Sequence, residues 1–124
     1  MIGYVTLGSN DLDRGAAFYD LALAEVGAKK FSTTDRMVVY GVQPDAPMLM
    51  LCTPFDKREA SVGNGVMVSL RVDSREVVDR VHAKALELGA VDEGAPGPRG
   101  QTGGYFAYFR DIDGNKLAAF TMGE

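Results

Sequence analysis

The same layout occurs twice along this chain, once in each half. Residues 2–7 alternate apolar and small side chains as a strand does, and a helical pattern with Leu12, Ala16, Tyr19 and Leu23 on one face runs on to about residue 26. Residues 68–72 repeat the strand, and Val77, Val81, Ala85 and Leu88 repeat the helical stripe. Asn10 and Asp73 are the expected N-caps, Asp73 with Glu76 placed for a capping box. Gly27-Ala28 and Gly89-Ala90 are helix stops. Each helix is followed by three expected strands: about 29–34, 37–42 and 47–53 in the first half, and 91–93, 104–110 and 116–122 in the second. The chain therefore reads βαβββ twice, a supersecondary unit used two times. The class is α+β, one domain over 1–124, with module one at about 1–56, a linker at 57–65 and module two at 66–124.

The second hairpin carries the most specific local chemistry. An aromatic strand, Tyr105-Phe106-Ala107-Tyr108-Phe109, leads into Asp111-Ile112-Asp113-Gly114-Asn115 and then Lys116-Leu117. Gly114 takes positive φ at low cost, and the short side chains of Asp111, Asp113 and Asn115 reach nearby backbone. The turn is not a calcium loop: its glycine comes too early and Met122 stands where the closing glutamate belongs. Gly63-Asn64-Gly65 lacks the third glycine of a dinucleotide turn, and no Ser or Cys is arranged with a His as a nucleophile.

Composition narrows the partners. A net charge of -4 argues against nucleic acid. No apolar run approaches the ~20 residues of a membrane helix, so no membrane partner is expected. Residues 1–7 hold an apolar strand pattern rather than a basic segment and signal-like core. The single cysteine, Cys52, allows no intrachain disulfide and fits a reducing cytoplasm.

The opening Tyr4-Val5-Thr6-Leu7-Gly8, then Phe18-Tyr19-Asp20, and the Asp111-x-Asp113-Gly114-Asn115 turn resemble the vicinal oxygen chelate superfamily, over essentially the whole chain. This group holds glyoxalase I, bleomycin and fosfomycin resistance proteins, methylmalonyl-CoA epimerase and extradiol dioxygenases. The resemblance implies paired βαβββ modules forming a U-shaped mixed sheet around a cleft, usually in a homodimer. It also implies metal ligands, His or Glu, on the first and last strand of each module. Position by position these fall on Tyr4, Met67, about Met50, and Ala118. A phenol, two thioethers and a methyl group do not suit a divalent ion that wants imidazole or carboxylate. The only histidine, His82, lies inside the second helix, where a half-wet position near the helix boundary is expected.

By analogy with the drug-sequestering resistance proteins, the expected role is metal-free and cofactor-free binding of a small organic molecule, such as a drug or metabolite. A lyase, isomerase or dioxygenase of the glyoxalase type is the alternative, and a dimer with a self-filled cavity a third. Strand alternation lists Tyr4, Thr6, Met50, Met67, Ser69, Arg71 and Phe120 as cleft-facing, with Met48, Cys52 and Ala118. Val5 and Leu7, and Val66, Val68, Leu70 and Val72, would lie behind them. Arg99 and Gln101, in an expected loop at 94–104, would stand near the mouth. Methionine adapts to varied guests, and Arg71 could grip an anion. The same residues admit a plainer role: Met50 and Met67 as core, Arg71 and Arg99 as solvated charges, Cys52 as a small buried apolar group. Of Tyr105, Phe106, Tyr108 and Phe109, one pair faces the helix or a subunit interface and the other the cleft; the sequence leaves both choices open.

Overall fold

The computed structural model describes residues 1–101 and 103–123. The first module runs β1 (Tyr4–Gly8), α1 (Leu12–Ala22), a 3-10 turn (Leu23–Val26), β2 (Lys29–Thr33), β3 (Met37–Gly41) and β4 (Met48–Cys52). The second runs β5 (Val68–Arg71), α2 (Arg75–Glu87), β6 (Val91–Arg99), β7 (Gly104–Arg110) and β8 (Lys116–Thr121). Each module closes into a four-stranded mixed sheet, β1-β4-β3-β2 and β5-β8-β7-β6. In both, the first strand pairs parallel with the last and the other neighbours are antiparallel. The long connection back to a parallel neighbour passes through the helix and the two strands after it, as parallel pairing requires a crossover.

The helices form where the apolar period is 3.6, but their caps sit one residue later than the sequence suggests. Asp11, not Asn10, caps α1 by accepting from the Arg14 N–H at 3.1 Å. Ser74, not Asp73, caps α2 by accepting from the Val77 N–H at 3.3 Å, which leaves Glu76 outside any capping box. Asn10 is drawn away by longer-range partners: it exchanges bonds with the Ala60 backbone, and its own N–H donates to Asp113 Oδ1 at 2.8 Å. Both helical segments end as expected at glycines of positive φ, Gly27 (+86°) and Gly89 (+104°), a conformation other residues adopt only at a cost.

α1 buries Gly15, Phe18, Tyr19 and Ala22, and α2 buries Val78, Val81, His82 and Ala85. The α2 stripe is thus rotated from the expected one: Val78 and His82 are inside, and Val77 is only half-buried. The two helix-facing layers merge into one core, in which the Phe18 ring lies 6.4 Å from Phe109 of the other module. Burying one such large side chain contributes about 1.5–3 kcal/mol.

The expected loop at 94–104 is mostly strand. β6 continues to Arg99 by means of two register shifts against β7, which absorb the Gly- and Pro-rich run as bulges. Of the rest of that run, Gly100, Gln101 and Gly103 are turn residues before β7, and Thr102 lies outside the described residues.

Candidate ligand-binding cleft

Each sheet turns one face to the helices and leaves the other open. On β1, Leu7 is buried while Tyr4 (59 % exposed) and Thr6 point outward. On β4, Leu49 and Leu51 are buried, and Met48 and Met50 lie on the open side opposite Tyr4 and Thr6. Met50 is in turn opposite Val39 of β3. The first sheet's open face is therefore rich in methionine, with one charge, Lys29, opposite Gly41 at its β2 edge. Cys52 lies at its end opposite Gly8, buried and unpaired in any disulfide, as the sequence suggests.

The second sheet is different in character. Its register sets Ser69 opposite Ala118, and Arg71 opposite Phe120. Phe106 lies opposite Phe120, and Tyr108 opposite Ala118. This resolves the aromatic strand. Tyr105 and Phe109 face the helices, where the Tyr105 hydroxyl donates to Asp79 on α2 at 2.7 Å and Phe109 is core. That bond to a carboxylate is the first reason the Tyr105 phenol is held above its usual range. Phe106 and Tyr108 face the open side with Phe120. The sequence reading did not single out Lys116, which stands over the Tyr108 ring at 5.6 Å. The signal was present in the turn: fixing Arg110 opposite Lys116 across it sets the parity of every pair above.

The structure thus divides the expected site residues between two walls. Tyr4, Thr6 and Met50 share the first sheet's open face; Ser69, Arg71 and Phe120 share the second's. A hollow of about 540 Å³ at the seam brings Met48 of the first module beside Met67, Ser69 and Arg71 of the second. Tyr4, Thr6, Met50 and Phe120 are not among its lining residues. Met67 precedes β5 and is 42 % exposed, so neither it nor half-buried Met50 is plain core. Val66, expected behind the strand, is exposed as well, because the alternation begins only at Val68. Ala118 is fully buried under its larger neighbours. Arg99 is not a loop charge. It ends β6 and folds back so that its guanidinium donates to the Ala95 carbonyl (2.6 Å) and the Pro98 carbonyl (3.2 Å), 5.8 Å from the Tyr108 ring centre. Gln101 is an exposed turn residue. A larger hollow of about 790 Å³ lies beyond the end of the first sheet, lined by charges of both signs including Asp35, Arg36, Arg58 and Glu59. It contains none of the expected site residues.

His82 is not half-wet. It is buried in α2 with Nε2 3.0 Å from Asp92 Oδ1 on β6. The Gly94 N–H, and then His82, hold the Asp92 carboxyl below its usual range. The imidazole is thus committed to fastening α2 to β6 on the helix side of the sheet.

A family model described as the Glyoxalase/Bleomycin resistance protein/Dioxygenase superfamily matches residues 1–119. This chain belongs to that superfamily. A glyoxalase/bleomycin resistance protein from Albidiferax ferrireducens T118 is 32 % identical, with 98 % of each chain covered and a TM-score of 0.89. A family enzyme from Burkholderia phytofirmans PsJN (18 % identity, 98 % of each chain, TM-score 0.78) shares the fold. So does a glyoxalase-related enzyme from Fulvimarina pelagi (19 % identity, 98 % of this chain and 87 % of that one, TM-score 0.77). No curated protein matches.

For a glyoxalase-superfamily chain the question is whether the matched ligand positions fit a metal ion. Tyr4, Met50 and Met67 offer a phenol and two thioethers, and Ala118 offers no donor atom. Among the described residues no three His, Cys, Asp or Glu side chains come together in a group that could hold an ion. These residues do not fit the hard or borderline divalent ion of the superfamily's metal enzymes. What the open faces offer instead is apolar and aromatic surface with a few fixed polar groups. That combination suits a small organic guest.

Proposed function

We propose that this protein binds a small organic molecule, a drug or metabolite, against the open faces of its sheets without a metal ion, and so sequesters it. One observation carries this reading: the four positions matched to metal ligands bear Tyr4, Met50, Met67 and Ala118, on faces rich in methionine and aromatic rings. The named ligand-binding residues are Tyr4, Thr6, Met50, Met67, Ser69, Arg71, Arg99 and Phe120. The working form is a cytoplasmic homodimer, in which a second copy covers the open faces and encloses the guest. The exposure of Tyr4, Met67, Val66 and Ile2 supports such a cover, since large apolar groups gain by leaving water.

A thermal-shift screen of small aromatic and polycyclic compounds tests the binding role, because a tight guest raises apparent stability by mass action. The reading expects saturable stabilisation by at least one class of compound in protein stripped of metal. The superfamily description also spans enzymes, so the competing reading is a lyase, isomerase or dioxygenase. Turnover of a hemithioacetal or a catechol that depends on added divalent ion would favour it.

A further inference from the structure

We infer that the guest is a flat aromatic anion seated on the open face of the second sheet; this rests on the binding role proposed above and names its ligand class. Phe120, Phe106 and Tyr108 form a row of nearly parallel rings. The Phe106 and Phe120 planes differ by 8° with centroids 5.2 Å apart, and the Phe106 and Tyr108 planes by 9° at 6.2 Å. Cations close both ends of the row. The Arg71 guanidinium is 5.3 Å from the Phe120 centroid, while Arg99 and Lys116 stand 5.8 and 5.6 Å from that of Tyr108.

None of these three cations meets a carboxylate within ion-pair distance among the described residues. Arg110, further along the same strand, is already neutralised by Glu93 at 2.9 Å. A chain of net charge -4 thus concentrates uncompensated positive charge around one aromatic row. The first sheet's open face offers Lys29, opposite Gly41 on its edge strand, but among the described residues no comparable row of parallel rings, so the preference belongs to the second module.

Arg99 is the most informative member. Its guanidinium is fixed by the Ala95 and Pro98 carbonyls, which set its place without cancelling its charge. Two glycines clear the space. A Cβ on Gly97 would sit 2.8 Å from Arg99 Nη1, and one on Gly94 would sit 2.8 Å from Tyr108 Cδ2. A cation ordered in advance loses little freedom on meeting an anion. A neutral ring would use the row alone, and an aliphatic acid the cations alone. Only an aromatic anion uses both.

Calorimetric titration of the full chain with 2-naphthoate, 2-naphthamide and decahydronaphthalene-2-carboxylate separates these cases. The expected result is that 2-naphthoate binds about tenfold or more tighter than either of the others, as a charge-assisted contact warrants. Arg71→Gln combined with Lys116→Gln, at side chains that are not buried, should cut the ratio of 2-naphthoate to 2-naphthamide affinity severalfold, and an unchanged ratio would overturn the inference. Phe106→Leu should weaken both aromatic compounds. Equal affinity for 2-naphthoate and 2-naphthamide would overturn the anion class while leaving the binding role intact. Failure of all three, with other compounds binding in the thermal-shift screen, would do the same. Failure of every compound would remove both. If the charge-removing variants dissociate the dimer and leave 2-naphthoate affinity untouched, the row is a subunit contact and the inference fails.

Discussion

The Tyr19 hydroxyl donates to Asp111 Oδ2 at 2.5 Å, joining residues 92 apart in sequence. Asp111 is 4 % exposed, and its carboxylate also accepts from the Asp113 and Asn115 N–H groups and from Asn115 Nδ2. Asn115 Nδ2 donates in turn to the Gly8 carbonyl of β1 at 2.9 Å. The β7–β8 turn of one module is thereby fastened to α1 and β1 of the other.

Tyr19→Phe keeps the ring and removes the donor, leaving a buried carboxylate oxygen short of a partner. The expected cost is about 1.5–3 kcal/mol, read from urea unfolding midpoints at neutral pH. A change below about 0.5 kcal/mol would mean that the bond does not hold the modules together.

Alkaline pH should destabilise the fold through the same residue. Burial first, and then the Asp111 carboxylate, push the Tyr19 phenol well above its ordinary value of 10.0. Burial, followed by the Asp20 bond, raises Tyr40 as well. A raised folded pKa means stability present in full below about pH 10 and lost as the pH climbs beyond it, because the unfolded chain gives up its proton first. Urea unfolding from pH 8 to 11, with phenolate absorbance followed in parallel, should show stability falling. Two of the five tyrosines should ionise only as the protein unfolds. Flat stability across that range would contradict the burial of these phenols.

Much of this arrangement was legible in the sequence, because its signals were local. The φ of +92° at Gly114 and the bonds around Asp111 follow from turn chemistry alone. The inward Leu7 and outward Thr6 follow from strand alternation. The failures came where distant partners override local preference. Asn10 looked like a cap until Ala60 and Asp113 claimed it. His82 looked half-wet until β6 brought Asp92 to it. The run at 94–99 looked like a loop because glycine and proline oppose strand formation; it pairs only through bulges that no single-strand pattern displays. Which of the aromatic residues at 105–109 face outward needed the β7–β8 register.

Gly15→Ala should destabilise although alanine favours helix. Its Cβ would lie 2.7 Å from Leu51 Cδ2 and 3.0 Å from Ser9 Oγ, both on fully buried side chains. Overpacking of this kind costs about 1–3 kcal/mol, against a propensity gain of about 1. Thermal unfolding should show a lower midpoint; a higher one would mean that α1 can move off β4.

Tyr4 separates binding from stability. It is exposed on β1, so Tyr4→Ala should change unfolding free energy by no more than about 0.5 kcal/mol. The same substitution should weaken binding of whichever compound stabilises the wild-type chain in a thermal-shift screen. Unaltered binding would remove Tyr4 from the site.

Metal dependence tests the central claim most directly. Protein purified without chelator should contain no stoichiometric transition metal by elemental analysis, and calorimetric titration with a stabilising compound should give the same affinity before and after EDTA. Stoichiometric metal in the cleft, or binding and turnover that arise only when a divalent ion is restored, would contradict it.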